Sequence, residues 1–202
     1  MYSSGTLTFL LMNSQVKFQQ NFTKKLKFFS LGKIRFTGNF PRNLTNMSHL
    51  GHLDIHDNKI SGELLEFISQ ISTLQVLNLR NTTFQGSIPD GISNLSCLRI
   101  LDLSSNHLVG NIPAKFGNLL GMIEKPNESF SSLSNIFTIS LKYNDLVVNW
   151  KKSKQGLSSH NLELYSLLDL SMNQLFGEIP TSLGRLNGLK LLNISLNILH
   201  GN

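Results

Sequence analysis

Glycine returns at one fixed interval in this chain. Gly38, Gly62, Gly86 and Gly110 keep a step of 24, and so do Gly177 and Gly201. A fixed period of this length marks a repeat architecture, in which each unit stacks on the next. The frame around each glycine also returns. It reads Leu74-x-x-Leu77-x-Leu79 before Gly86, and in full Leu98-x-x-Leu101-x-Leu103-x-x-Asn106-x-Leu108-x-Gly110-x-Ile112-Pro113. It recurs as Leu168-x-Leu170-x-x-Asn173-x-Leu175-x-Gly177-x-Ile179-Pro180 and Leu189-x-x-Leu192-x-Ile194-x-x-Asn197-x-Leu199-x-Gly201. In Leu-x-Leu, alternate side chains take opposite faces of a short strand, so the leucines point inward and the x residues outward. One coil cannot bury its apolar row alone, but stacked coils can. The pattern predicts an α/β repeat solenoid with a parallel sheet along one face.

The polar slots of the frame have a physical reading. Asn58, Asn106, Asn173 and Asn197 stand where the chain leaves the strand, with Thr82 at the same place in one repeat. An amide there can both donate to and accept from loop backbone buried between coils. Composition agrees with an ordered chain: of 202 residues 40% are hydrophobic and only 15% charged, against roughly 25% charged in an average globular protein. The polarity comes instead from 22 Asn and 25 Ser. Disorder and a cysteine-stapled scaffold are both excluded, and the lone Cys97 has no partner for an internal disulfide.

These units resemble the leucine-rich repeats of plant extracellular proteins, which read Leu-x-x-Leu-x-Leu-x-x-Asn-x-Leu-x-Gly-x-Ile-Pro. The resemblance implies a right-handed coil with the parallel sheet on its concave face. It is strong over 50–122 and 165–202, and weaker over 26–49, where Ile34 takes the Asn position. The expected organisation is an irregular segment at 1–25, repeats at 26–122, an interruption at 123–164, and repeats again at 165–202, the last incomplete.

The interruption breaks phase. The step from Gly110 to Gly177 is not a whole number of periods, and it reads either as one period with a long insertion or as two periods with a shorter one. Ile136-x-x-Ile139-x-Leu141-x-x-Asn144-x-Leu146, with Val148 at the glycine slot, supports the second reading, a cryptic repeat over 136–148. Followed by Tyr165 to Ser171 and the Gly-Glu-Ile-Pro of 177–180, the break is similar to the island region of plant receptor-like proteins. Those are cell-surface receptors with a repeat ectodomain, one membrane helix and no kinase. The resemblance implies a plasma-membrane glycoprotein that recognises an extracellular peptide, protein or glycan in defence or development. It also implies signalling through partner receptor kinases, with a co-receptor meeting the coils from 168 onward. No stretch here approaches the roughly 18–20 apolar residues of a membrane span. The apolar run at 6–12 lacks a preceding basic residue and a small-residue cleavage site, so a leader is not expected there. The chain therefore reads as a fragment or truncated form of such a receptor.

Candidate binding residues follow from the register of the x positions. One column reads Ser30, Asp54, Asn78, Asp102, Asp169 and Asn193, and the next reads Gly32, His56, Arg80, Ser104, Ser171 and Ser195. The expected ligand-facing set is His52, Asp54, His56, Asp57, Asn78, Arg80, Asp102 and Ser104. His52, Asp54, His56 and Asp57 are the densest polar group, readable as a solvated strand surface, a ligand contact, a weak metal site or a pH-sensitive contact. Neither metal nor cofactor is called for.

Seven Asn-x-Ser/Thr sequons occur, at Asn21, Asn43, Asn46, Asn81, Asn94, Asn127 and Asn193. Chance alone gives about four at this composition. Asn43 and Asn94 fall on the outer side of the coil, whereas a glycan on Asn193 would obstruct the strand face. The net charge of +6 comes from two places: Lys24, Lys25, Lys27, Lys33 and Arg35, and a basic patch of Lys151, Lys152 and Lys154 in the interruption. No basic and aromatic residues interleave along a groove, so nucleic acid is not an expected partner. An anionic polysaccharide or protein face is one reading of the patch, and a solvated loop is the other. The chain lacks a phosphate loop, a Gly-x-Ser-x-Gly turn and a His-Glu-x-x-His helix, so an enzyme is not expected. The competing function is a secreted repeat inhibitor of cell-wall-degrading enzymes. Against it stands the phase break. A non-functional remnant is a third reading.

Overall fold

The structure, a computed structural model, describes residues 6–7, 27–39, 47–64, 66–123, 146–150, 153–157 and 166–201. Fifteen strands lie among them: β1 (Thr6–Leu7), β2 (Phe28–Ser30), β3 (Thr37–Asn39), β4 (His52–Asp54), β5 (Lys59–Glu63), β6 (Val76–Asn78), β7 (Thr83–Ser87), β8 (Ile100–Asp102), β9 (His107–Gly110), β10 (Leu146–Trp150), β11 (Ser153–Leu157), β12 (Leu167–Asp169), β13 (Gln174–Glu178), β14 (Leu191–Asn193) and β15 (Ile198–His200). The Leu-x-Leu strands form one parallel sheet in the order β1-β2-β4-β6-β8-β12-β14. The segments that carry the repeat glycines form a second parallel sheet, β15-β13-β9-β7-β5-β3, which the sequence frame does not announce. Coils close with short 3-10 turns at Glu66–Gln70, Asp90–Asn94, Ala114–Asn118 and Thr181–Arg185. The one α-helical turn among the described residues is Leu120–Ile123. The "α" part of the expected α/β architecture is therefore 3-10 in character.

Side-chain alternation sets the core. Leu53, Leu77, Leu101 and Leu168, with Ile55, Leu79, Leu103 and Leu170, are 0–1% exposed and belong to one continuous apolar cluster. Ile60, Phe84, Leu108 and Leu175 of the second sheet close it from one side, and Ile68, Ile92, Phe116 and Leu183 of the 3-10 turns from another. Each such side chain contributes about 1.5–3 kcal/mol by leaving water.

The asparagine slot joins successive coils. Asn106 donates from Nδ2 to the carbonyls of Leu79 (2.9 Å), Leu103 (3.1 Å) and Ser104 (3.2 Å), and its Oδ1 accepts from the Phe84 amide at 3.0 Å. Asn58, Asn173 and Asn197 repeat this set, taking the amides of Phe36, Leu108 and Leu175. Thr82 reaches only the Leu79 carbonyl (2.8 Å) and Asn106 Oδ1 (2.7 Å). The residue just before the slot is left-handed in coil after coil, with φ of 54° at Asp57, 50° at Asn81, 57° at Ser105, 55° at Met172 and 56° at Leu196. None of these is glycine. Where an asparagine follows, at Asp57, Ser105, Met172 and Leu196, the strain of that backbone is offset by the amide that ties it to two coils.

Two expectations are corrected. Leu167–Asp169 pairs directly with Ile100–Asp102, Leu168 opposite Leu101, so no coil from 136–148 stands between them. The step from Gly110 to Gly177 is thus one period with a long insertion. Leu146–Trp150, which carries the end of the supposed cryptic repeat, pairs antiparallel with Ser153–Leu157 instead; residues 136–145 lie outside the described residues. Its alternating apolar residues suit a hairpin as well as a coil, and only partner choice separates the two. The segment 1–25, read as irregular, contributes a short strand: Thr6 and Leu7 pair with Phe28 and Phe29.

Candidate functional site

The x positions of the first sheet bring the expected residues together, but not as an open surface. His52, Asp54, Asn78, Arg80, Asp102 and Ser104 are all 0–5% exposed, and His56 is 8%. Side chains one coil apart stand about 5 Å from each other, and hydrogen bonds cross between coils at Arg80 to Asp57 and at Asn193 to Asp169 and Ser171. The solvated strand face expected from sequence is thus replaced by a largely buried polar row. It opens toward Asn193 and Ser195 on the last coil.

The row has a regular local device. Each Asp or Asn in the middle column folds its Oδ1 back onto the residue two places on. Asp102 accepts from the Ser104 amide (3.0 Å) and hydroxyl (2.6 Å), Asp169 accepts from Ser171 in the same way (2.9 and 2.6 Å), and Asn78 accepts from the Arg80 amide at 3.2 Å. Asp54 does so with His56, whose Nδ1 lies 2.6 Å from Oδ1. His56 lies over Gly32 of the preceding coil, and no other residue would leave room for the ring.

One corner of the row is ionic. Asp57, in the left-handed turn, receives Asn81 Nδ2 at 2.7 Å and Arg80 at 3.4 Å, with His56 Nε2 at 3.7 Å. His56, Asp54, Asp57 and Arg80 therefore form one cluster across two coils. His52 is not part of it. Its ring packs against Phe28 in a tilted arrangement, 5.8 Å between centroids, its Nδ1 has no hydrogen-bond partner, and burial pushes its pKa below the usual 6.5. Asn78 Nδ2 and Arg80 Nε are likewise buried without a partner. Among the described residues, no three His, Cys, Asp or Glu side chains are placed to hold a metal ion.

The column that sequence reasoning missed is apolar. Phe28, Val76, Ile100 and Leu167 occupy the first x position, are 0–5% exposed, and lie outside the core cluster on the opposite face of the sheet. The signal was present in the spacing, two places before each member of the polar column.

Three sequons lie in described segments. Asn94 is exposed at the end of a 3-10 turn, Asn81 is exposed with its amide on Asp57, and the Asn193 amide donates to Asp169 Oδ2 and Ser171 Oγ at 3.1 Å each. Asn21, Asn43, Asn46 and Asn127 lie outside the described residues, as do Lys151 and Lys152. Lys154 is on β11, opposite Asn149. Cys97 is a free, half-buried thiol.

Comparison with known proteins places this geometry in context. The family model for the Leucine Rich Repeat matches residues 49–71, 73–95, 97–119 and 166–186. The chain is 52% identical over 176 residues to Receptor-like protein 46 of Arabidopsis thaliana, a match covering 80% of this chain and 22% of that protein. It thus spans about a fifth of the length of that relative. The fold is similar to the ectodomain of the membrane receptor kinase GASSHO1/SCHENGEN3 of Arabidopsis thaliana, solved in complex with CASPARIAN STRIP INTEGRITY FACTOR 2 (31% identity, TM-score 0.58, covering 88% of this chain and 19% of that one). It is also similar to the ectodomain of the receptor kinase SOBIR1 of Arabidopsis thaliana (25% identity, TM-score 0.60, covering 85% and 71%).

Proposed function

We propose, from the premise that the chain belongs to the leucine-rich-repeat proteins, that it serves as the ligand-recognition module of a cell-surface receptor-like protein. The observation that carries this reading is the 52% identity to Receptor-like protein 46, which extends over 176 residues and so well beyond the matched repeats. Of the polar row, the open end supports it: Asn193 and Ser195 are accessible x positions, whereas the members from His52 to Ser104 are buried against their neighbours. The role is recognition rather than catalysis. The ligand class is an extracellular peptide, protein or glycan, by analogy with the factor bound to the ectodomain of GASSHO1/SCHENGEN3.

Signalling in defence or development would pass through a partner receptor kinase, with the coils over 168–202 as the surface for a co-receptor. Lys151, Lys152 and Lys154 would add a basic patch for an anionic partner. Among the described residues no helix is long and apolar enough to cross a membrane. The test is topological. The full-length gene product, tagged at the mature N-terminus, is expressed in plant protoplasts and treated with protease outside intact cells. Loss of the tag without permeabilisation is expected. A tag protected in intact cells, or released wholly to the medium, overturns the receptor reading.

A further inference from the structure

The middle column of the polar row alternates acid and amide: Asp54 beside Asn78, Asn78 beside Asp102, and Asp169 beside Asn193. From Asp54 onward the alternation fails once. At the junction where the interruption leaves and re-enters the stack, Asp102 and Asp169 are direct neighbours in the parallel ladder, and both are 1% exposed.

Two carboxylates this close cannot both ionise cheaply in a buried setting. Their hydrogen bonds show how the charge is divided. Each Oδ1 is occupied by its own serine, Ser104 or Ser171, through amide and hydroxyl. Asp169 Oδ2 also receives the amide of Asn193 at 3.1 Å, a donor for which Asp102 Oδ2 has no counterpart. The hydrogen bonds of Asp102 all fall on Oδ1, which leaves Oδ2 to carry a proton. The preceding coil offers one cation, Arg80, and the following coil only the neutral Asn193.

We propose that Asp102 and Asp169 act as a shared-proton pair, one carboxylic acid beside one carboxylate, which makes closure of the solenoid across the interruption sensitive to pH. Burial, and then the charge of Asp169, push the Asp102 pKa up to about 7, against the pull of Ser104 and Arg80. A raised acid holds its proton in the folded state after the unfolded chain has lost it. The resulting stability is fully present below about pH 4 and is lost as pH rises toward about 7. One proton limits the effect to about tenfold per pH unit in the unfolding equilibrium.

The test is thermal unfolding of the whole chain between pH 4.5 and 8, compared with Asp102→Asn, Asp169→Asn and the surface control Asp90→Asn. The Tm of Asp102→Asn relative to wild type is expected to rise with pH, because that variant has no raised acid left to titrate; Asp169→Asn, in which Asp102 stays buried but loses its charged neighbour, should show the same trend with a smaller amplitude. Asp102→Asn restores the acid–amide alternation and should exceed wild type at pH 8. Asp90→Asn should track wild type throughout. A pH-independent difference between Asp102→Asn and wild type overturns the proposal. Should a variant fail to fold, the carboxyl carbon resonances of the wild-type chain decide. Titration of one of the pair near neutral pH supports it, and titration of both in the ordinary carboxylate range overturns it.

Discussion

The imidazole of His56 lies across the bare backbone of Gly32 in the preceding coil, where an added β-carbon would come within 2.6 Å of Nδ1. That same Nδ1 is held at 2.6 Å by Asp54. A methyl at position 32 therefore displaces the ring and breaks the contact. Gly32→Ala is expected to cost about 1–3 kcal/mol as overpacking. Chemical denaturation measures the loss, and the imidazole resonances of His56 should move with it.

Asn106 carries more backbone than any leucine. Removing its amide takes one donor from each of the carbonyls of Leu79, Leu103 and Ser104, which keep Thr82 Oγ1, Asn173 Nδ2 and the Asn81 amide, and takes the Oδ1 acceptor from the Phe84 amide. Asn106→Ala should destabilise by about 1–3 kcal/mol through these lost hydrogen bonds between coils. Hydrogen exchange should accelerate at Phe84 before it does at more distant amides. Exchange that rises uniformly over the stack would contradict this local account.

Thr82 is the short member of the same column, with two bonds where the asparagines have four or more. Thr82→Asn is expected to stabilise by about 1 kcal/mol by completing the ladder between its neighbours. A Tm unchanged or lowered by the substitution would show that the wider side chain does not fit.

Gly117 and Gly184 hold the same place in successive 3-10 turns, yet their surroundings differ. A β-carbon on Gly117 would lie 2.8 Å from Ser182 Cβ and 2.9 Å from its carbonyl carbon, while one on Gly184 meets nothing within 4 Å. Gly117→Ala should cost about 1–3 kcal/mol. Gly184→Ala should be neutral or gain about 0.4–1 kcal/mol by reducing unfolded-state freedom. Comparison of the two midpoints in urea separates packing from conformational entropy.

His52 is held below its usual pKa by burial, so the unfolded chain binds a proton there more readily than the folded one. Stability from the neutral ring is present above about pH 6.5 and is lost as pH falls below it. His52→Phe keeps an aromatic ring against Phe28 and removes the titration. Its Tm advantage over wild type should widen as pH drops from 7 to 5, opposite in sign to the effect expected at Asp102.

Much of the fold was legible because the leucine frame states which side chains face inward and the glycine period states where each coil ends. The partner of each coil was not. Ile136 to Val148 satisfies the frame locally, but pairing of Leu168 with Leu101 depends on free energies summed across coils, which no window of sequence contains. The second sheet is not written in the frame for a related reason: its strands, such as Gln174–Glu178, gain their ladder only from the coils before and after them. At the site, the polar column was readable from register alone. Its burial was not, and neither was the left-handed turn at Asp57 that points three groups at one carboxylate.

The direct pairing of β8 with β12 has a further consequence. In the second sheet Gln85 stands opposite His107, two places short of a full period, and across the interruption Val109 stands opposite Gln174, again two places short of the glycine-to-glycine step. The stack keeps its phase as if the intervening chain were a plain loop. Closing a flexible loop becomes harder by only about 0.6 kcal/mol for each doubling of its length. The junction can therefore accept segments of very different size with little thermodynamic resistance. Length variation is tolerated at the one point where the solenoid already tolerates a gap, and every coil on either side remains in step.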